Sequence, residues 1–116
     1  MKLINITKKR VIASNVKLCK TALSRLKGLM FSSLKYNEAL ILVSEEESIS
    51  LNSIHTFFVL FPLDVIWLDK NFKVIDFKLN IPQFIPFIKP KKPAKYVVEL
   101  KHKKLNISLE DVLKLV

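Results

Sequence analysis

The sequence predicts a mainly β (α+β) single domain, residues 1–116, with one short helix near residues 21–28 and, in one reading of the tail, a helical turn near 101–106. Three observations lead there. Short segments of alternating polarity recur along the chain, separated by Ser, Asn, Asp and Lys. One segment, Thr21 to Gly28 with Leu29-Met30 after it, spaces its apolar residues like a helix. With 116 residues, 50% of them hydrophobic, the chain can fill one core without staples.

Lys2 to Thr7 alternates and reads as a first strand, with Leu3, Asn5 and Thr7 on one face. Val11-Ile12-Ala13, the turn Ser14-Asn15 and Val16 to Lys20 suggest a hairpin. Thr21 suits a helix N-cap, Leu23, Leu26 and Met30 share a helical face, and Gly28 suits the left-handed residue that ends it. Glu38 to Val43 is a buried-looking strand, and Glu45-Glu46-Glu47 a solvated loop. Ser50 to Val59 and Leu63 to Asp69 are the central strands. Asp69 to Phe72 turns the chain, with Asn71 suited to positive φ, into a strand from Lys73 to Leu79 that points Ile75, Phe77 and Leu79 at the core. Residues 81–93 hold four of the five prolines and cannot be an interior strand, but are apolar enough to lie across the core as an extended cover. Lys95 to Lys101 is another strand. The tail has two readings: a helix capped by Ser108-Leu109-Glu110-Asp111, or a helical turn at His102 to Leu105 followed by a closing strand, Val112 to Val116.

The single cysteine, Cys19, excludes an internal disulfide and a cysteine-based zinc cage. No secretory signal is visible, and the clean apolar run Phe57 to Leu63 is far shorter than a membrane span. The expected location is therefore the cytoplasm. The net charge is +10, and Arg10 and Arg25 are the only arginines. Such a surface either keeps an apolar-rich protein soluble or attracts nucleic acid. The basic segment Lys89, Lys91, Lys92, Lys95, Lys101, Lys103 and Lys104 would carry the second role, and lysines on a sheet edge that blocks aggregation the first.

With these residues laid out, the chain resembles the domain of unknown function 192 family over nearly its whole length. The carriers are Thr21 with Arg25-Leu26-Lys27-Gly28-Leu29-Met30, then Ser53 to Phe58 with Phe61-Pro62-Leu63-Asp64-Val65-Ile66-Trp67-Leu68-Asp69, then Pro93-Ala94-Lys95-Tyr96-Val97-Val98-Glu99-Leu100. The resemblance implies a mostly antiparallel β barrel or sandwich with a short helix packed on it, and it favours the closing-strand reading of the tail. It implies no particular reaction. The chain departs from the family at the C-terminus. Lys101-His102 stands where Ala-Gly is usual, Asn106-Ile107 where Gly-Ile is usual and Glu110-Asp111 where Gly-Asp is usual. Asn106 can take the left-handed conformation; Glu110 does so less readily.

The candidate site lies in the most apolar stretch. Strand alternation puts Ser53, His55 and Phe57 on one face and Ile54, Thr56 and Phe58 on the other. His55 is either a titrating group or a ring packed on aromatics; His102 reads as a surface residue. Asp64 is costly to bury unless it is paired. It either accepts several backbone N–H groups at the bend after Pro62 or pairs with Arg25, or else it acts as a general base or orients His55. Thr56 can bond Asp64 or simply suit a strand. No phosphate-binding glycine loop, nucleophile motif or metal-ligand set appears, so no cofactor and no metal are expected.

Three functions follow, in order of preference. The first is a small non-enzymatic domain that binds a small molecule or a protein through Arg25, His55, Thr56 and Asp64. The second is nucleic-acid binding through the seven lysines. The third is an acid/base or hydrolytic enzyme built on His55 and Asp64.

Overall fold

The computed structural model describes residues 1–20, 34–54, 61–85 and 87–116. These residues form eight strands: β1 Leu3–Asn5, β2 Arg10–Ala13, β3 Asn15–Cys19, β4 Glu38–Ser48, β5 Leu63–Leu68, β6 Val74–Ile81, β7 Ala94–Lys101 and β8 Leu113–Leu115. The helix expected near 21–28 lies outside the described residues.

A five-stranded sheet, β3-β4-β7-β5-β6, carries a three-stranded sheet, β2-β1-β8. The result is a sandwich of two open sheets, and the barrel alternative is not formed among the described residues. Every pairing is antiparallel except β3 with β4, which is parallel. The expected hairpin around Ser14-Asn15 does not form. β2 pairs with β1 through a turn closed by Lys9, at φ 56°, and β3 pairs with β4 in the other sheet. Ser14 therefore marks the crossing between sheets, where the Ser14 and Asn15 N–H groups both donate to the Asn37 carbonyl. Local alternation cannot distinguish such a crossing from a hairpin, because both need a turn flanked by two strands.

β5 lies between β6 and β7, and all six of its residues are buried. Its alternation feeds two cores. Leu63, Val65 and Trp67 pack with Ile54, Phe61, Ile81 and Ile88 on one face, while Ile66 and Leu68 pack with Leu3, Ile12, Val98, Leu100 and Leu113 on the other. The second face is covered by the three-stranded sheet. On the first lies a strap, the described residues of 82–93, as expected from its apolar content, with Ile85 and Ile88 packed against the core. Ile88 locks the strap down by exchanging two backbone hydrogen bonds of 2.8 Å with Ile54. Asp76 adds a third tie, accepting the Lys91 N–H at 2.9 Å.

Several local expectations are corrected. Asp76 is buried and Leu79 is exposed, which inverts the face expected for β6 at both positions. Register shifts along β5 and β6 break strict alternation there. Phe72, not Asn71, takes the positive φ of the β5–β6 turn. Glu45, Glu46 and Glu47 stay exposed but belong to β4, within the irregular stretch between Val43 and Ser48, rather than to a loop. Ser50 to Ser53 is a turn and not part of a strand. Residues 102–107 form no helical turn, and Asn106 is not left-handed.

The tail does close the smaller sheet, with β8 on β1. The Ser108–Asp111 pattern forms a turn there in place of a helix cap. The Asp111 carboxylate accepts the Ser108 N–H at 3.0 Å, and the Asp111 N–H donates to the Ser108 carbonyl. Glu110 takes the left-handed conformation at φ 72°.

Candidate functional site

Asp64 is the second residue of β5. Its neighbours Leu63 and Val65 pair with Lys101 and Glu99 of β7, which holds its backbone rigidly in the sheet. The side chain is fully buried, with 0% exposure, on the face that carries Ile66 and Leu68. A carboxylate there must be met by donors, and three are present. Oδ1 accepts the Asn80 N–H at 2.8 Å and the His102 Nδ1 at 2.7 Å, and Oδ2 accepts the Lys103 N–H at 3.1 Å. Asn80 reaches this position by taking φ 54° near the end of β6.

The N–H groups that Asp64 accepts come from Asn80 of β6 and Lys103 after β7, whereas the expectation puts them at the bend after Pro62. Arg25, His55 and Thr56 lie outside the described residues, so the Arg25 pair and the His55 partnership are not placed. His102, read from sequence as a surface residue, is instead partnered by Asp64. Its signal was faint because the two residues lie 38 positions apart.

The His102 backbone N–H donates to the Pro62 carbonyl at 2.8 Å, and its side chain is 37% exposed. The imidazole is therefore fixed at both backbone and Nδ1, with part of the ring at the surface. An oxygen that already accepts a backbone N–H also accepts from the ring, so in the neutral imidazole the hydrogen sits on Nδ1 and the lone pair on Nε2.

The next residue extends the cluster. The Lys103 ammonium donates to the carbonyls of Ile12 and Tyr36, so it ties the segment after β7 to β2 and to the chain entering β4. Its burial pushes the Lys103 pKa below the ordinary lysine value, and the Asp64 charge opposes that shift. Beside it runs an open groove of about 780 Å³ lined by Arg10, Val11, Ile12, Lys103, Lys104, Leu105 and Asn106. Three of these residues are cationic and none is acidic.

The seven lysines do not share one face. β7 is the middle strand of its sheet, so they do not line an edge. Lys95 and Lys101 stand at its two ends, while Val97 and Glu99 between them are buried. Lys95 donates to the Glu45 carbonyl at 2.8 Å, and the Lys101 ammonium lies 4.7 Å from the Tyr36 ring centre. Six residues of strand place these two lysines about 20 Å apart. Lys103 and Lys104 join the groove at one end, and Lys89, Lys91 and Lys92 ride on the strap.

Sequence reasoning missed Asn52. It is fully buried, and its side-chain amide donates to the Ser48 and Ala94 carbonyls at 3.0 and 2.6 Å, while its own carbonyl accepts the Trp67 indole N–H at 2.8 Å. This joins the turn after β4 to the central strand. The local pattern, an Asn in a Ser-rich turn, gave no sign of burial.

The sequence pattern of the DUF192 family, described as uncharacterized ACR, matches residues 3–115. The chain belongs to the DUF192 family. It is 41% identical over 97 residues to a UPF0127 protein of Thermococcus kodakarensis, covering 84% of this chain and 60% of that protein. A UPF0127 protein of Pyrococcus furiosus is 36% identical over 97 residues and is covered over 80% of its length. The match thus spans about three fifths of the Thermococcus relative.

Two crystal structures share the DUF192 fold seen here. One, a protein of unknown function from Novosphingobium aromaticivorans, has a TM-score of 0.83 at 19% identity, covering 98% of this chain and 82% of that one. The other, from Sinorhizobium meliloti, carries a name that proposes a transcription regulator. It has a TM-score of 0.84 at 21% identity, covering 97% and 89%.

Proposed function

We propose that this DUF192 domain is a small non-enzymatic binding domain whose ligand is a small anion, held in the groove between β2 and the segment that follows β7. The observation that carries this reading is the lining of the groove: Arg10, Lys103 and Lys104 face a common space with no carboxylate among the lining residues. Asp64 supports the reading from below. It fixes the backbone of Lys103 and the ring of His102, so the groove wall is built before any ligand arrives. Asp64 itself is buried and already accepts three donors, which fits a positioning role better than contact with a ligand. The expected contributions of Arg25, His55 and Thr56 remain part of the proposal.

Thermal unfolding in the presence of pyrophosphate tests this. A ligand at about ten times its Kd adds about 1.4 kcal/mol of stability, worth several degrees of Tm in a domain of this size. Arg10→Gln and Lys104→Gln should each remove most of the shift without lowering the Tm of the free protein. No shift at millimolar pyrophosphate, or an equal shift in the Arg10→Gln protein, overturns the proposal.

The Asp64–His102 pair also has the geometry of a base oriented by a carboxylate, which keeps acid/base chemistry as a second reading. That reading requires a reacting group beside the exposed part of the His102 ring. Loss of a detected turnover in His102→Gln, with pyrophosphate binding retained, would separate it from simple binding.

A further inference from the structure

The strap has two chemically different sides. Ile81, Ile85 and Ile88 pack inward on Trp67, Val65 and their neighbours, and Pro90 is buried with them. Phe84 and Phe87 are 60% and 61% exposed, on the same strap as the exposed Lys89, Lys91 and Lys92. Two phenylalanines in water are unfavourable for the isolated fold, since each forgoes the burial of a large apolar ring. Phe84 carries a second cost. It sits at φ 62°, a left-handed conformation that disfavours a bulky residue.

The charge within the strap itself is of one sign. Residues 82–93 contain three lysines and no acid. The acid that touches the strap, Asp76, is buried, and its two oxygens accept the Phe77 and Lys91 N–H groups. The exposed glutamates of β4 lie beyond the far end of the strap, where Ser48 pairs with Ala94. Two residues separate the two phenylalanines, at most about 11 Å of chain, and Lys89 follows two residues after Phe87. The strap is pinned at Ile88 and Lys91, the residues that bracket Lys89 and Pro90.

We propose that the outer side of the strap is a binding surface for single-stranded nucleic acid. Bases stack on Phe84 and Phe87, and the phosphates that follow meet Lys89, Lys91 and Lys92. Aromatic faces accept any base, and lysines read charge without geometry, so the surface binds with little sequence preference. The requirement for unstacked bases excludes duplex, whose base faces are covered. A protein partner would need acidic residues alternating with apolar ones, whereas a single strand supplies both features at every nucleotide. This surface is separate from the groove and does not depend on it: the strap packs on the sheet face of Leu63, Val65 and Trp67, whereas β2, which lines the groove, packs on the opposite face with Ile66 and Leu68.

The test is fluorescence anisotropy of a labelled oligothymidylate of about 12 nucleotides. Binding should weaken with salt, with a log–log slope near −2 for three phosphate contacts on a single strand. Phe84→Ala and Phe87→Ala should each weaken it about tenfold while leaving the urea midpoint of unfolding in place. The K89Q/K91Q/K92Q variant should flatten the salt slope. Unlabelled duplex of equal length should compete poorly. Arg10→Gln should leave oligothymidylate binding unchanged, and Phe87→Ala should leave the pyrophosphate shift unchanged.

Equal binding by wild type and both phenylalanine variants overturns the proposal, as does duplex competing as well as single strand. Phenylalanine-dependent binding to anionic phosphatidylserine vesicles, with none to the oligomer, also overturns it in favour of a membrane surface.

Discussion

Asp64 satisfies three donors with two oxygens, and removing it leaves two backbone N–H groups facing a dry interior. Asp64→Ala should therefore lower the unfolding free energy by about 3 kcal/mol or more. His102→Ala should cost about 1 kcal/mol, because water can reach the exposed side of the ring and replace part of what is lost. Urea unfolding of both variants decides it: equal losses would mean that the bond to His102, not the backbone N–H groups, is what Asp64 supplies. Glu110 offers the opposite case. It occupies a left-handed position, and its N–H must stay to donate to the Val74 carbonyl at 2.8 Å. Glycine keeps that N–H and removes the Cβ clash, so Glu110→Gly should stabilise by about 1 kcal/mol. A lower urea midpoint would show that the Glu110 side chain does something this geometry does not explain.

The joint between β1 and the tail depends on a second buried acid. Asp111 Oδ2 accepts from Asn5 Nδ2 at 2.9 Å, Lys8 Nζ at 2.7 Å and the Ser108 N–H at 3.0 Å. Burial alone would raise the Asp111 pKa. The bonds from Lys8, Asn5 and Ser108 outweigh it and hold the pKa below the ordinary carboxylate value. The unfolded chain thus takes up this proton at a higher pH than the folded one. The stabilisation is fully present above the ordinary carboxylate value and is lost as pH falls through it toward the lower, folded value. Urea midpoints measured from neutral pH down to pH ~3 should fall less steeply in Asp111→Asn than in the wild type; an equal slope would remove Asp111 from the acid sensitivity. β5 makes the matching prediction for the core. Ile66 is fully buried among residues of both sheets, and Ile66→Ala should cost about 2–5 kcal/mol by urea unfolding.

Across the whole molecule, two places gather cations in different chemical settings: Arg10, Lys103 and Lys104 in one, and Lys89, Lys91 and Lys92 in the other. One is a concave groove that suits a compact anion. The other is a ridge of rings and lysines that suits a strand. The five-stranded sheet separates them, with the strap on the face of Leu63, Val65 and Trp67 and β2 on the face of Ile66 and Leu68. The two binding reactions should therefore be additive: saturating pyrophosphate should leave oligothymidylate affinity within about twofold, since sites without shared partners couple weakly. Strong competition between the two probes would mean that they share one surface.

How much was legible follows from how local each signal is. Strands with clean patterns, such as Leu63 to Leu68, were readable because burial on both faces leaves an apolar run that only Asp64 interrupts. The strap was readable from its prolines, which cannot donate to a sheet. The crossing at Ser14, the inverted face of β6 and the pairing of Asp64 with His102 were not, since each depends on which distant segments meet. The sequence by itself determined the β-rich class, the family and the need of Asp64 for donors, because polarity period, motif spacing and the cost of a buried charge are local properties. Only the tertiary structure decided that two open sheets replace a barrel, that His102 and Lys103 answer Asp64, and that Phe84 and Phe87 face outward. The physical reason is that strand partners, and the side of a strap that meets solvent, are fixed by long-range packing, which no single segment encodes.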